Sequence, residues 1–121
     1  NTRKIYIHTC TYPHTYIHTE KSKEDSVNQS EVELVVFEGK TTIINCSYST
    51  ADTYPYLFWY VQYVNKAPQY ILQRDPSTVQ NAPRFKERFS ATLDKEKKTT
   101  LLFIENTGMS DSAVYYCALR P

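Results

Sequence analysis

The sequence predicts an all-β sandwich, and three observations carry that reading. From Glu31 onward, apolar residues recur with period two in short runs. Polar turns separate these runs at intervals of about ten residues, the spacing of a sandwich. Two cysteines, Cys46 and Cys117, lie 71 positions apart, each inside an apolar run. In chain order, Val32, Leu34 and Val36 face one way, and Ile44 and Cys46 share a face in the next run. Leu57, Trp59 and Val61 alternate with Phe58, Tyr60 and Gln62. Ser77 to Ala82 reads as a loop, with Pro76 and Pro83 on either side. Phe89, Ala91 and Leu93 form another run, and a charged hairpin tip, Lys95 to Lys98, leads into Leu102 and Ile104. Ala113, Tyr115 and Cys117 close the series.

Length and composition narrow the function. A chain of 121 residues makes one ordinary domain. Hydrophobic residues at 40%, charged residues at 22% and a net charge of +1 describe a globular protein with no pull toward nucleic acid. No apolar run approaches the roughly 20 residues of a membrane span. Two glycines leave no glycine-rich phosphate loop. No histidine follows residue 18, so no Ser–His or Cys–His pair can form in the sandwich. The carboxylates are scattered over turns with no convergent pair. No enzyme activity, cofactor or metal is expected.

Residues 1–26 differ from the rest. Tyr6-Ile7-His8-Thr9 recurs as Tyr16-Ile17-His18-Thr19, and Cys10 and all three histidines fall here. On a helix His14 and His18 would share a face with Cys10 one turn earlier, a conceivable metal site. The β-branched residues and Pro13 argue against that helix. Thr, His, Tyr and Ile are what a CA/TA-rich DNA repeat encodes. The segment therefore reads as translated non-coding sequence, without the apolar core of a signal peptide. It is expected to be disordered and to lie outside a domain spanning residues 27–121.

Three cysteines leave at least one unpaired within the chain, and their spacing excludes a CxxC site. A bond between Cys46 and Cys117 would close a long loop worth about 4 kcal/mol in the loop-entropy model. It would need an oxidising compartment, which leans toward the secretory pathway. Two sequons occur, Asn28-Gln29-Ser30 and Asn45-Cys46-Ser47. Asn28 is the expected glycan carrier, because the second sequon overlaps a cysteine.

Trp59 follows Cys46 by thirteen positions, and Asp111-Ser112-Ala113-Val114-Tyr115-Tyr116-Cys117 ends at the second cysteine. The cysteines can tie facing sheets together under the indole, and Tyr115 is placed for a tyrosine corner. Arg88 could pair with Asp111 beneath the sandwich.

With Trp59-Tyr60-Val61-Gln62, Arg88-Phe89-Ser90-Ala91-Thr92-Leu93-Asp94 and the terminal Cys117-Ala118-Leu119-Arg120-Pro121, these motifs make residues 28–121 resemble an immunoglobulin V-set domain. Within that set they are most similar to a T-cell receptor alpha (or delta) variable segment. The resemblance implies a Cys46–Cys117 disulfide over a core of Trp59, Tyr115 and Leu102, with an Arg88–Asp111 salt bridge. It implies antigen-binding loops at Thr50, Ala51, Asp52, Thr53, Tyr54, Pro55 and Tyr56; at Arg74, Asp75, Pro76, Ser77, Thr78, Val79 and Gln80; and at Ala118, Leu119, Arg120 and Pro121. Eleven tyrosines suit such loops, since tyrosine offers contact area at low entropic cost. Chain pairing falls to Tyr60, Gln62, Pro68, Tyr70 and Tyr116, an outward row that needs cover.

By the same resemblance the partners are a beta-type variable domain, peptide presented by major histocompatibility molecules, and signalling subunits reached through constant regions, at the cell surface. Neither nucleic acid nor direct membrane contact is expected. A delta chain or a non-rearranging V-set receptor or adhesion module is the alternative. Two departures stand out. Asn65 replaces the glycine usual in its turn, a mild change because Asn tolerates positive φ. The last strand, supplied in this family by a joining segment, does not follow Pro121. The edge of the preceding strand is therefore expected to be unpaired and the isolated fragment marginal.

Overall fold

The computed structural model describes residues 3–9, 26–28 and 32–120. Among these residues, ten strands form two facing sheets. They are β1 (Lys4–Thr9), β2 (Ser26–Asn28), β3 (Val32–Phe37), β4 (Thr42–Ser49), β5 (Leu57–Gln62), β6 (Gln69–Arg74), β7 (Val79–Asn81), β8 (Phe89–Asp94), β9 (Thr99–Ile104) and β10 (Ala113–Leu119). One sheet runs β3-β1-β10-β5-β6-β7 and the other β2-β4-β9-β8.

The alternation in sequence becomes two faces in space, because successive Cβ atoms point to opposite sides of a strand. In β4, Thr42, Ile44, Cys46 and Tyr48 turn inward while their neighbours face solvent. Leu57, Trp59 and Val61 do the same in β5, and all three are fully buried with Leu102, Ile104 and Tyr115. Cys46 and Cys117 are bonded across the sheets with Cα atoms 6.5 Å apart, within the normal disulfide range. Trp59 stands directly opposite Cys117 across the β5–β10 pair, and its indole N–H donates to the Thr100 hydroxyl at 3.4 Å.

One end of the sandwich is braced by a polar knot. The Tyr115 hydroxyl donates to the Asp111 carbonyl at 2.7 Å, closing the tyrosine corner. Arg88 grips the Asp111 carboxylate with two nitrogens, and the Gly108 amide donates to the same carboxylate at 2.9 Å. Arg88 also donates to the Glu105 and Asn106 carbonyls, so one guanidinium holds both ends of the connection between β9 and β10. The turn at Asn65 has φ of +60°, the left-handed conformation that Asn accepts more readily than most residues.

Two expectations are corrected. Lys4–Thr9 is a strand inside the six-stranded sheet, whereas the sequence placed it outside the domain. It pairs antiparallel with β3 over all six residues and parallel with β10 through Ile7↔Ala113, His8↔Val114 and Thr9↔Tyr115. Ile5 and Ile7 are fully buried and Thr9 nearly so, while Lys4, Tyr6 and His8 face out. The Ser112 hydroxyl donates to the Tyr6 carbonyl at 2.9 Å. The β10 edge expected to lack a partner is thus covered by β1 over Ala113–Tyr115. The physical reason is that an edge of unpaired N–H and C=O groups takes any alternating strand that can also bury its apolar face. The remainder of the N-terminal segment, with Cys10, His14 and His18, lies outside the described residues.

The second correction is smaller. Val79–Asn81, read as loop, forms a short strand on β6, pairing Leu72↔Asn81, Gln73↔Gln80 and Arg74↔Val79. The Asn81 amide then donates to the Phe85 and Phe89 carbonyls, both at 2.8 Å, and anchors the chain as it leaves β7.

Candidate recognition surface

At the end of the sandwich opposite the Arg88–Asp111 knot, the first and second candidate loops converge. In the first, Ala51, Asp52, Thr53 and Tyr54 form an exposed crest, Tyr56 is half-buried, and Thr50 and Pro55 are turned inward. The Asp52 amide donates to the Thr50 hydroxyl at 3.1 Å, which fixes the turn at the base of the crest.

In the second loop Ser77, Thr78, Val79 and Gln80 are exposed, and Pro76 is half-buried. Arg74 and Asp75, expected among the contact residues, are instead engaged within the loop. Asp75 is only 6% exposed, and its carboxylate accepts the amides of Ser77 and Thr78, each at 2.8 Å. Burial pushes its carboxyl up, but the Thr78 and Ser77 amides and the Thr78 and Tyr54 hydroxyls outweigh that and hold it below the usual carboxylate range. The Arg74 guanidinium serves the other polarity. It donates to the Asp75 carbonyl and, at 3.0 Å, to the Thr78 carbonyl, while its Nε donates to the Ala91 carbonyl of β8 at 3.1 Å.

Ala118 and Leu119, expected to begin the third loop, are buried residues of β10 paired with Phe58 and Leu57. Only Arg120 of that group is an exposed described residue; Pro121 lies outside the described residues.

A second surface covers the outer face of the six-stranded sheet. Tyr60 is the cross-strand partner of both Tyr116 and Tyr70, so three tyrosines form a row over β10, β5 and β6. The Tyr60 and Tyr70 ring centroids are 6.1 Å apart. Gln62 sits beside this row with both ends of its amide in use: Oε1 accepts the Tyr116 hydroxyl at 2.8 Å, and Nε2 donates to the Lys66 carbonyl at 3.0 Å. Pro68 is exposed in the turn that enters β6. Phe58 joins the expected residues on the same face, with its ring 6.2 Å from that of Tyr70, as its alternation with Trp59 requires. Tyr6 and Val35, paired across β1 and β3 and 44% and 49% exposed, extend the apolar face. Their place on this face follows from β1 lying inside the sheet, which nothing within Lys4–Thr9 reveals by itself. For Asn28, only the backbone pairing with Ser47 is described.

Two sheets pinned by a disulfide beside a buried tryptophan, with loops gathered at one end, make a binding scaffold whose chemistry lies on its surface. Among the described residues, no cluster of His, Cys, Asp and Glu can hold a metal ion, and no helix is long and apolar enough to cross a membrane. Comparison with known proteins specifies the class. A family model for the immunoglobulin V-set domain matches residues 29–121. The rabbit T-cell receptor alpha chain V region RL-5 is 42% identical over 95 residues, covering 78% of this chain and 68% of that one. The mouse T-cell receptor alpha chain V region CTL-F3 is 37% identical over 111 residues, covering 92% and 81%. The human T cell receptor alpha variable 38-2/delta variable 8 is 34% identical over 101 residues, covering 84% and 85%. The chain belongs to the immunoglobulin V-set family and, within it, is a variable domain of the T-cell receptor alpha type. It is a receptor module and not an enzyme.

Proposed function

We propose that this domain is one half of a heterodimeric cell-surface receptor that recognises peptide presented by major histocompatibility molecules, and that it pairs with a beta-type variable domain. The observation that carries the pairing is the contiguous row Tyr70–Tyr60–Tyr116 around Gln62 on an outward sheet face. Aromatic rings held in cross-strand register offer area that is costly to leave in water and cheap to order against a partner. The two loops at the adjoining end stay free for ligand when that face is covered. Asn28 is proposed to carry a glycan added in the secretory pathway, which agrees with the disulfide chemistry.

The test is co-expression with a panel of beta-type variable domains, with heterodimer measured by sedimentation. Gln62→Glu and Tyr116→Arg should weaken the dimer about tenfold or more, because each buries an unpaired charge in the contact. Dimers unaffected by both changes would move the pairing surface elsewhere. Delta-type use is a second reading, supported by the relative that carries both alpha and delta designations. It predicts association with a gamma-type chain in place of a beta-type one.

A further inference from the structure

The first and second loops are joined directly. The Tyr54 hydroxyl lies 3.0 Å from Asp75 Oδ1 and 2.8 Å from Ser77 Oγ, spanning 21 and 23 positions of sequence. The carboxylate it meets already organises the second loop, accepting the Ser77 and Thr78 amides on Oδ1 and the Thr78 hydroxyl on Oδ2 at 3.0 Å. Tyr54 is therefore tied to the residue that sets the shape of its neighbour, not to an outlying side chain. The contacts also run the other way. The Tyr54 ring stands edge-on to Tyr56 with centroids 5.5 Å apart. The Arg120 guanidinium lies 4.3 Å above the Tyr56 ring, and the Arg120 amide donates to the Tyr56 carbonyl at 2.9 Å.

We propose that Tyr54 and Asp75 are positioning residues that lock the first and second loops into one preformed surface, with Tyr56 and Arg120 carrying that lock to the residue following β10. The inference rests on reading these loops as the recognition surface. Its consequence is that the loops do not adapt independently. A loop ordered before encounter loses less freedom on binding, so the surface favours ligands that fit one shape. The division of labour follows from burial. Asp75 is 6% exposed and its carboxylate is spent on groups of the protein, while Tyr54 is 41% exposed, so one ring both bridges the loops and presents contact area. A change in the first loop is thereby felt in the second without altering its sequence.

The molecule contains its own control. At the hairpin tip Asp94 Oδ1 accepts the Glu96 and Lys97 amides at 3.0 and 3.1 Å, the same arrangement that Asp75 makes with Ser77 and Thr78. The hydrogen bonds described for Asp94 include no tyrosine hydroxyl. Amide exchange measured by NMR on the full chain compares the two. Tyr54→Phe keeps the ring and removes the bond. It should speed exchange at Ser77 and Thr78 about fivefold, the converted worth of one hydrogen bond, and leave Glu96 and Lys97 unchanged. Asp75→Asn should speed Ser77 and Thr78 further, and adding Tyr54→Phe to it should change little, because the shared bond is already weakened. Unchanged exchange at Ser77 and Thr78 in Tyr54→Phe would overturn the proposal, as would equal acceleration at Glu96 and Lys97. The measurement needs no ligand. Coupled loops in a protein that binds no peptide–MHC would sink the proposed function and leave this inference standing.

Discussion

Arg88 and Asp111 meet in a two-pronged ion pair, Nη1 to Oδ2 at 2.9 Å and Nη2 to Oδ1 at 3.0 Å, at the end of the sandwich away from the candidate loops. The Asp111 side chain is 3% exposed and that of Arg88 36%, so removing the arginine strands a buried acid. Arg88→Ala is expected to cost about 2 kcal/mol, below the 3–5 of a fully buried pair because water reaches the guanidinium. Arg88→Lys should recover less than half of that, since an ammonium cannot reproduce both prongs. Urea unfolding of the two variants checks both values.

Tyr115 supplies a prediction in pH. Burial, with the nearby Asp111 charge adding to it, pushes its phenol far above the usual tyrosine value. A folded-state pKa above the unfolded one gives stability that is intact below about pH 10 and is lost as pH rises beyond it, because only the unfolded chain then ionises the phenol. Tyr115→Phe should cost about 1–2 kcal/mol at neutral pH for the missing bond to the Asp111 carbonyl. The same variant should lose stability less steeply above pH 10. Unfolding curves at pH 7 and at alkaline pH, compared between the two proteins, test the sign.

Membership of β1 in the core is tested by truncation of one side chain. Ile7 is fully buried, so Ile7→Ala should destabilise by about 2–4 kcal/mol. Tyr6→Ala, on the outer face of the same strand, should cost about 1 kcal/mol or less in the isolated chain. Equal and negligible effects in thermal melts would return Lys4–Thr9 to the status of an appendage.

The left-handed turn residue gives a graded series. Asn65→Gly should be neutral within about 0.5 kcal/mol, because relief at φ of +60° offsets the added freedom of the unfolded chain. Asn65→Val should cost about 1–2 kcal/mol, since a β-branched residue is strained there. Chemical denaturation separates the three proteins.

Much of this architecture was legible in the sequence, and the legible part has a common character. Ile44 with Cys46, Leu57 with Trp59 and Val61, and Tyr115 with Cys117 declare their faces through alternation. The spacing of Cys46, Trp59 and Cys117 allows a tie between sheets under the indole and places Tyr115 for a tyrosine corner, and the V-set resemblance implies the disulfide itself. At Asn65 the resemblance pointed to a turn glycine, and the tolerance of Asn for positive φ accounts for the +60° observed there. Each of these depends on neighbours within a few positions or on a spacing that can be counted.

What the sequence left open depended on groups far apart along the chain. Lys4–Thr9 carries the alternation of a strand, but nothing within it says that β3 and β10 leave a slot for it. Arg74 and Asp75 stand in the candidate second loop like contact residues, yet backbone amides and carbonyls around them claim both side chains. Val79–Asn81 becomes a strand only because β6 offers an edge. The alternation of Cβ directions is a local property of the backbone, so sequence alone determined which residues share a face in β3, β4, β5, β8, β9 and β10. Hydrogen-bond partners across a sheet or between loops are set by where distant segments meet, and that only the tertiary structure decided.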